Sequence, residues 1–430
     1  MIIFFLPLPG PNVFWSLAVL DYCRQSGDDD FLHEMIQTLR AAIWFLTTQN
    51  FIDNTKPPTF QKMGLIASPG SLWIDPLKRG NYTTDTNAMA YRLFTQLAEV
   101  ETYVGNASGA KLALSVATTL KERVNALLWS SSSSSRSSGN VSNGSDHYIT
   151  QLNFDNSTLD LMDYDSNLIA VAYGLAPLDR AHLIMDRIAT NPCARPNGYG
   201  TTVSERGYTA PEFAFGMGDS FVAMGRIAYV DALSLKRVND SARFNTLLST
   251  LHADLLRNTW MYERWQCEGA PTHNPYYHEY PEVVAMMLRD IKYGINLGFN
   301  TITIDPFLPA FVGNQTTTTT TAAGSTADED TQPRFDDVAQ VAFEYHLGGV
   351  TLQYSRSAVR LQLARLPRRK RRVVVKGLAP SSAYTWVVVS GALGGRNTAI
   401  QTDSSGEIVI DAVQCGGEVD VLVIEMEEAE

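Results

Sequence analysis

The feature that most constrains this chain is a change of hydrophobic period. From residue 13 to about 294, apolar residues recur at the three-to-four spacing of amphipathic helices; from about residue 299 they alternate. The first helical stretch is Val13–Gln25, stopped at Ser26-Gly27. Asp28–Asp30 supply caps for the next, Phe31–Thr48, whose Leu32, Met35, Ile36, Leu39, Ile43 and Leu46 share one stripe. Thr84–Val104 with Ala107–Trp129 and Leu159–Tyr173 with Leu178–Ala189 read as further pairs, followed by Asp219–Val238, Ser241–Asn258 and Tyr280–Tyr293. The later runs TITI, VAFEYHL, VTLQYS, VRLQLARL, RVVVKGL, YTWVVV, EIVIDAV and VDVLVIEM are strands, separated by turn residues at regular spacing. This pattern predicts an all-α domain of paired helices over 1–298 and an antiparallel β-sandwich over 299–430.

The connections divide into two kinds. Ser130–Ser145 is a serine tract without an apolar anchor, and Gln315–Asp337 is Thr-rich and acidic; both read as flexible. Pro367–Arg372 (PRRKRR) is either a patch for an anionic partner or a solvated hairpin. The loops around Asp75, Tyr199 and Glu263 carry aromatic and charged residues instead, the mark of a functional loop.

The richest chemistry lies in NTWMYERWQCEGAPTHNPYYHEYPEVVAMMLRDIKYGINLGF. It gathers Glu263, Glu268, Glu279 and Glu282, two histidines, and Trp260, Tyr262, Trp265, Tyr276, Tyr277 and Tyr280. Glycoside cleavage needs carboxyl groups, one to protonate the leaving oxygen and one to act as nucleophile or activate water. Aromatic rings supply faces on which sugar CH groups pack. Glu263 fits such a role; it fits equally a structural carboxylate paired with Arg264. Trp73 and Asp75 in GSLWIDPLKRGNYTTD are candidates for a sugar pocket, or a packing Trp and a loop cap. LMDYDSN opens a helix with Asp163, Asp165 and Asn167, more polar groups than one cap requires. RPNGYGTTVSERGY and GMGDS carry Tyr199, Ser204, Glu205 and Asp219 without phosphate-loop spacing, and neither a GxSxG elbow nor an HExxH helix occurs.

Bulk properties narrow the partners. A formal net charge of −11 argues against nucleic acid, and an acidic surface with 7 Trp and 18 Tyr suits neutral sugars. No run approaches the ~18 apolar residues of a membrane span. Cys23, Cys193, Cys267 and Cys415 are scattered and read as buried thiols; no metal and no cofactor is expected. Sequons at Asn81, Asn106, Asn140, Asn143, Asn156, Asn239 and Asn314 favour the secretory pathway, although MIIFFLPLPGP makes a poor signal peptide.

NVFWSLAVLDYCRQSGDDDFLHEMIQTLRAAIWFL is similar to a helix pair in the α-L-rhamnosidase family of six-hairpin glycosidases. LWIDPLKRGNYTTDTNAMAYRLFTQLAEV resembles that family's W-x-D-W loop and following helix, and NTWMYERW resembles its T-L-W-E-R-W segment. DYDSNLIAVAYGLAP resembles debranching-like members of the same superfamily. The resemblance implies an (α/α)6 toroid followed by a β-domain, acting on O-glycosidic bonds of a carbohydrate substrate. It implies Glu263 as general base of an inverting displacement, with Trp73, Asp75 and His278 in the pocket and Arg264 and Trp265 in support. Asp165 and Tyr199 join these as expected sugar contacts.

Two departures shape the expectation. Pro76 replaces the second Trp of W-x-D-W, so the sugar is left open between rhamnose and glucose types. The family's general acid belongs to an R-D-E-x-x-G-W-x-G-D motif that this sequence lacks, and nine helices are expected against the toroid's twelve. The expectation is a chain that begins inside the catalytic domain. A phosphorylase or lyase on the same toroid, and a non-catalytic carbohydrate-binding protein, are the competing classes. A helical-repeat scaffold is disfavoured, since no fixed period recurs.

Overall fold

A computed structural model describes residues 9–48, 59–68, 79–130, 146–191, 198–206, 222–258, 260–266, 270–272 and 274–307, and in the C-terminal part 341–345, 348–354, 358–364, 369–376, 383–388, 398–404, 407–415 and 419–426. Trp73, Asp75, residues 131–145 of the serine tract and Gln315–Asp337 fall outside them. Two compact units result: Met1–Cys23 with Asp28–Leu288, and Arg24–Gly27 with Arg289–Glu430.

The first unit is built from helices α1 (Pro9–Ser26), α2 (Asp29–Thr48), α3 (Thr59–Met63), α4 (Thr84–Tyr103), α5 (Ala107–Leu127), α6 (Tyr164–Ala172), α7 (Leu178–Thr190), α8 (Gly225–Arg237), α9 (Ser241–Asn258) and α10 (Glu279–Met286). Helices α4, α6, α8 and α10 touch in succession, while α5, α7 and α9 each lean on the helix before them. Burial explains the two rows. Tyr164–Val171 of α6 are buried without interruption. In α5 only Ala113, Val116, Ala117, Leu120 and Val124 are buried, and in α7 only Ala181, Ile184, Met185 and Ile188. The helices buried all round, polar first turns included, form the inner row, and helices with one apolar stripe belong outside. Of the stripe expected on α2, Leu32, Ile36, Leu39, Ile43 and Leu46 are buried and Met35 is half-buried, and Asp28 Oδ1 accepts from the Phe31 amide at 2.9 Å. Removing one such leucine costs about 2–5 kcal/mol.

Short strands occupy the loops at the starts of the inner helices: β1 (Tyr82–Thr83), β2 (Trp129–Ser130), β3 (His147–Tyr148), β4 (Gln151–Leu152), β5 (Thr158–Leu159), β6 (Val222–Met224), β7 (Arg264–Gln266) and β8 (Pro271–Thr272). They shift two expected boundaries. Helix α6 begins at Tyr164 rather than Leu159, because Asp163 pairs with Ser204 and the Tyr164 amide donates to Val203 O. Helix α8 begins at Gly225 rather than Asp219, because Val222–Met224 pair antiparallel with Arg264–Gln266. Hydrophobic period cannot reveal such turns, since a three-residue strand is set by its partner. Past α10, Met287–Lys292 form a π-helical turn within the expected Tyr280–Tyr293 helix.

The second unit is made of β9 (Ile295–Leu297), β10 (Thr301–Ile304), β11 (Val341–Tyr345), β12 (Gly348–Tyr354), β13 (Ala358–Ala364), β14 (Arg369–Val375), β15 (Ala383–Val388), β16 (Thr398–Gln401), β17 (Ile408–Cys415) and β18 (Val419–Met426). One sheet has the order β11-β12-β13-β18-β15-β16 and the other β17-β14-β10-β9. All pairings are antiparallel except β10 with β14, where Thr301–Ile304 run parallel to Arg372–Val375. A parallel pair needs a long crossover, which the chain between these strands provides. Most of the basic run at Pro367–Arg372 lies in a strand, since Arg369, Lys370 and Arg371 pair with Cys415, Gln414 and Val413. Ile302, Ile304, Val373, Val375, Ile408 and Ile410 are buried, giving the second sheet its apolar face.

Candidate active site

Glu263 sits at the entry to β7, on an arm that runs from Trp260 and is matched by a returning arm through Tyr277. Met261 bridges Tyr277, and the Glu263 amide donates to Asn274 O at 3.0 Å. The carboxylate is fixed from two sides. Arg264 Nε and Nη2 donate to Oε1 at 3.2 and 3.1 Å, and Asn274 Nδ2 donates to Oε2 at 2.8 Å. The Glu263 side chain is 12% exposed, so it is held yet open to solvent.

Behind it, Arg226 at the start of α8 grips Glu279 at the start of α10. Arg226 Nε and Nη2 lie 3.1 and 2.8 Å from the two oxygens of Glu279, which also accepts the Arg226 amide. Gly225 permits this approach: a Cβ there would meet Glu279 Cγ at 2.9 Å and the Tyr280 amide at 3.1 Å. Burial lowers the pKa of Arg226, but its hydrogen bonds and charge contact with Glu279, then the charges of Tyr277 and Glu263, hold it above its ordinary value. The guanidinium therefore belongs to the electrostatic surroundings of Glu263.

Tyr199 arrives from a distant loop and stacks on Trp265, ring centroids 3.6 Å apart and 11° from parallel. Gly200, at φ +103, brings that loop against α8; a Cβ there would lie 2.8 Å from Ala228 Cβ. Tyr280 donates from its hydroxyl to Tyr199 O at 3.1 Å. Burial and the Asp254 carboxylate push the Tyr199 hydroxyl up to about 12, so it stays protonated at neutral pH. Trp265 is 7% exposed, and its Nε1 has no hydrogen-bond partner among the described residues. Such a donor is costly to bury unless a ligand or water answers it.

Glu263, Arg264, Trp265 and Tyr199 are thus brought together. His278, immediately before α10, is exposed. Asp165 lies elsewhere, in a buried cluster around Arg79, a residue that periodicity did not single out. Arg79 Nη2 donates to Asp165 Oδ1 at 2.9 Å, Nη1 to Asp165 Oδ2 at 3.1 Å and to Asp85 Oδ2 at 2.9 Å. Asp163 Oδ2 lies 3.0 Å from Nε. All four side chains are at most 1% exposed. Burial lifts the Asp163 carboxyl to about 8; Arg79 opposes this, while the charges of Asp165 and Asp85 add to it. Burial lowers the pKa of Arg79, but the three carboxylates outweigh it and hold that guanidinium above its ordinary value.

The cluster joins two helix starts built alike. Asn87 of α4 accepts from the Ile66 amide and donates to Ile66 O and Thr83 O. Asn167 of α6 accepts from the Tyr148 amide and donates to Tyr148 O and Asp163 O. Asp85 and Asp165 each accept from the next residue's amide at 2.7 Å. The shared signal was present in the sequence as T-D-T-N and Y-D-S-N. Separately, a cavity of about 550 Å³ is lined by Asp146, Tyr164, Arg187, Asn191, Glu205 and Arg206, among others; of the residues singled out in the sequence it takes in Glu205 but neither Glu263 nor any expected sugar contact.

No protein-family model matches the chain, and no curated protein matches it either. It is similar to the GH78 family rhamnosidase of Bacillus sp. GL1, at 13% identity and a TM-score of 0.48, over 83% of this chain and 30% of that one. It is similar to an α-L-rhamnosidase from Dictyoglumus thermophilum at 11% identity and a TM-score of 0.47, over 96% of this chain and 39% of that one. A third similar structure is the GH63 mannosylglycerate hydrolase of Thermus thermophilus in complex with glucose, at 12% identity and a TM-score of 0.48, over 66% of this chain and 75% of that one. The chain spans 30% and 39% of the two rhamnosidases' own length. At these scores the choice of chemistry rests on the residues.

Proposed function

We propose that this chain carries the water-activating side of an inverting glycosidase, with Glu263 as general base, acting on an α-L-rhamnoside-type or α-glucan-type O-glycosidic bond. The frame we assign is an (α/α)6 toroid followed by a β-sandwich. The observation that carries the chemical reading is the setting of Glu263: a carboxylate 12% exposed, oriented by Arg264 and Asn274, beside a stacked Tyr199–Trp265 pair. An oriented carboxylate takes a proton from water as the anomeric carbon is attacked. In the aromatic pair Tyr199 is the half-buried member and Trp265 the buried one, so Tyr199 is the ring of the two on which a sugar's CH face would pack. Arg264 is a positioning residue for Glu263. Trp73, Asp75 and His278 remain proposed sugar contacts through the family resemblance. Asp165, held inside by Arg79, is assigned to positioning the α4 and α6 starts instead.

The test is hydrolysis of aryl α-L-rhamnosides and α-glucosides by wild type and by Glu263→Gln. The proposal expects a fall of about 10²–10⁴-fold with unchanged thermal unfolding. Full activity in the variant would overturn the base assignment. Binding of sugars without hydrolysis by wild type would point to a carbohydrate-binding protein, and activation by phosphate to a phosphorylase.

A further inference from the structure

Aromatic residues lie on both sides of Glu263 in the sequence and join in space. Five aromatic rings are in unbroken contact. After the Tyr199–Trp265 stack, Trp265 meets Tyr262 edge-on at 6.2 Å, Tyr262 meets Trp260 at 5.1 Å, and Trp260 meets Tyr276 at 4.7 Å. The series runs from a ring 7% exposed at Trp265 to one 66% exposed at Tyr276. The arm geometry sets this direction. Met261 is buried and bridges Tyr277, and Tyr276, next to that bridge on the returning arm, meets Trp260.

Tyr276 is the informative member. Its φ is +61, a left-handed conformation that strains a bulky side chain. Among the described residues, the other non-glycine positions with positive φ are Asn81, Asn156 and Asn239, the side chain that tolerates this conformation best. Turn chemistry would therefore select Asn or Gly at 276. Burial does not explain the tyrosine, since two thirds of it faces solvent. Tyr276 is thus a strained, exposed aromatic that carries the ring series out to solvent.

We propose that Trp260, Tyr262 and Tyr276 are a stacking subsite for a second pyranose ring, the one linked to the sugar held beside Glu263, so that the ligand class is an oligosaccharide. This rests on the reading of Glu263 as part of a sugar site, but not on hydrolysis. On the scale of an aromatic ring pair, about 0.5–1.5 kcal/mol, the contact corresponds to roughly a 2- to 12-fold change in affinity.

The experiment is equilibrium binding to the full chain, read by tryptophan fluorescence. The one-ring probes are methyl α-L-rhamnoside and methyl α-glucoside; the two-ring probes are α-L-rhamnosyl-(1→6)-glucose and maltose. The expected result is tighter binding of a two-ring probe than of its one-ring counterpart. Tyr276→Asn, which suits the backbone but lacks the ring, should lose roughly 3- to 10-fold on the two-ring probe alone. Tyr276→Phe should keep the preference. One-ring binding without a two-ring preference, or a preference that survives Tyr276→Asn, would overturn the subsite and leave the Glu263 reading standing. Failure of every probe to bind would overturn both.

Discussion

Asn81, Asn156 and Asn239 each begin a sequon, and each has positive φ: 48°, 64° and 59°. Asn106, which begins another, caps α5 by accepting from the Gly109 amide at 3.1 Å and donates to Glu101 at 2.8 Å. Turn and cap chemistry therefore accounts for asparagine at these four positions without a glycan. Asp163 makes a sharper point about single residues. Its carboxyl, lifted to about 8 in the fold, titrates near 3.9 in an unfolded chain. Between those values the folded state keeps a proton that the unfolded state has released, so stability falls as pH rises from about 4 to 8. Asp163→Asn should remove that fall: its thermal midpoint should change less than wild type's between about pH 5 and 8, and an unchanged slope would refute the assignment. Asp165→Ala leaves Arg79 buried beside one fewer anion and should cost about 3–5 kcal/mol in denaturant unfolding at pH 7.

At the scale of elements, the paired Asp-Thr-Asn and Asp-Ser-Asn starts act as equivalent fasteners. Asn87→Ala and Asn167→Ala each remove the acceptor of a buried amide and a donor to two carbonyls, of which Asp163 O keeps the backbone amide of residue 167. Each should therefore destabilise by about 1–3 kcal/mol per group left unpaired, and by similar totals. A loss confined to one of the two would show that the starts are not equivalent. Long amphipathic helices were legible in the sequence because their stripes repeat: α9 is found at Ser241–Asn258, as its period predicts. The starts of α6 and α8 were not, because Leu161–Asp163 and Val222–Met224 take their shape from partners far along the chain. The same limit applied to the site. The grouping of Glu263, Arg264 and Trp265 could be read from adjacency, but the stack of Tyr199 on Trp265 and the Arg226–Glu279 clamp join residues that no local pattern connects. Arg79 carried no periodic signal at all; only three carboxylates converging on one guanidinium reveal it.

For the whole molecule, the net charge of −11 and the neutral ligand proposed for it make a joint prediction. Binding of an uncharged sugar releases no condensed counterions, so affinity should change less than about 2-fold between roughly 50 and 500 mM salt. A steep loss with salt would indicate a charged ligand and a different site. No described helix is long and apolar enough to cross a membrane. The central claim is that Glu263 activates water. That claim is tested most directly with 2,4-dinitrophenyl glycosides, whose leaving group departs without a proton and so isolates the base. Glu263→Ala should hydrolyse them at least about 10²-fold more slowly than wild type, and added azide, which needs no base, should restore turnover and yield the inverted glycosyl azide. Wild-type rates in the variant, or a glycosyl azide of retained configuration, would contradict it.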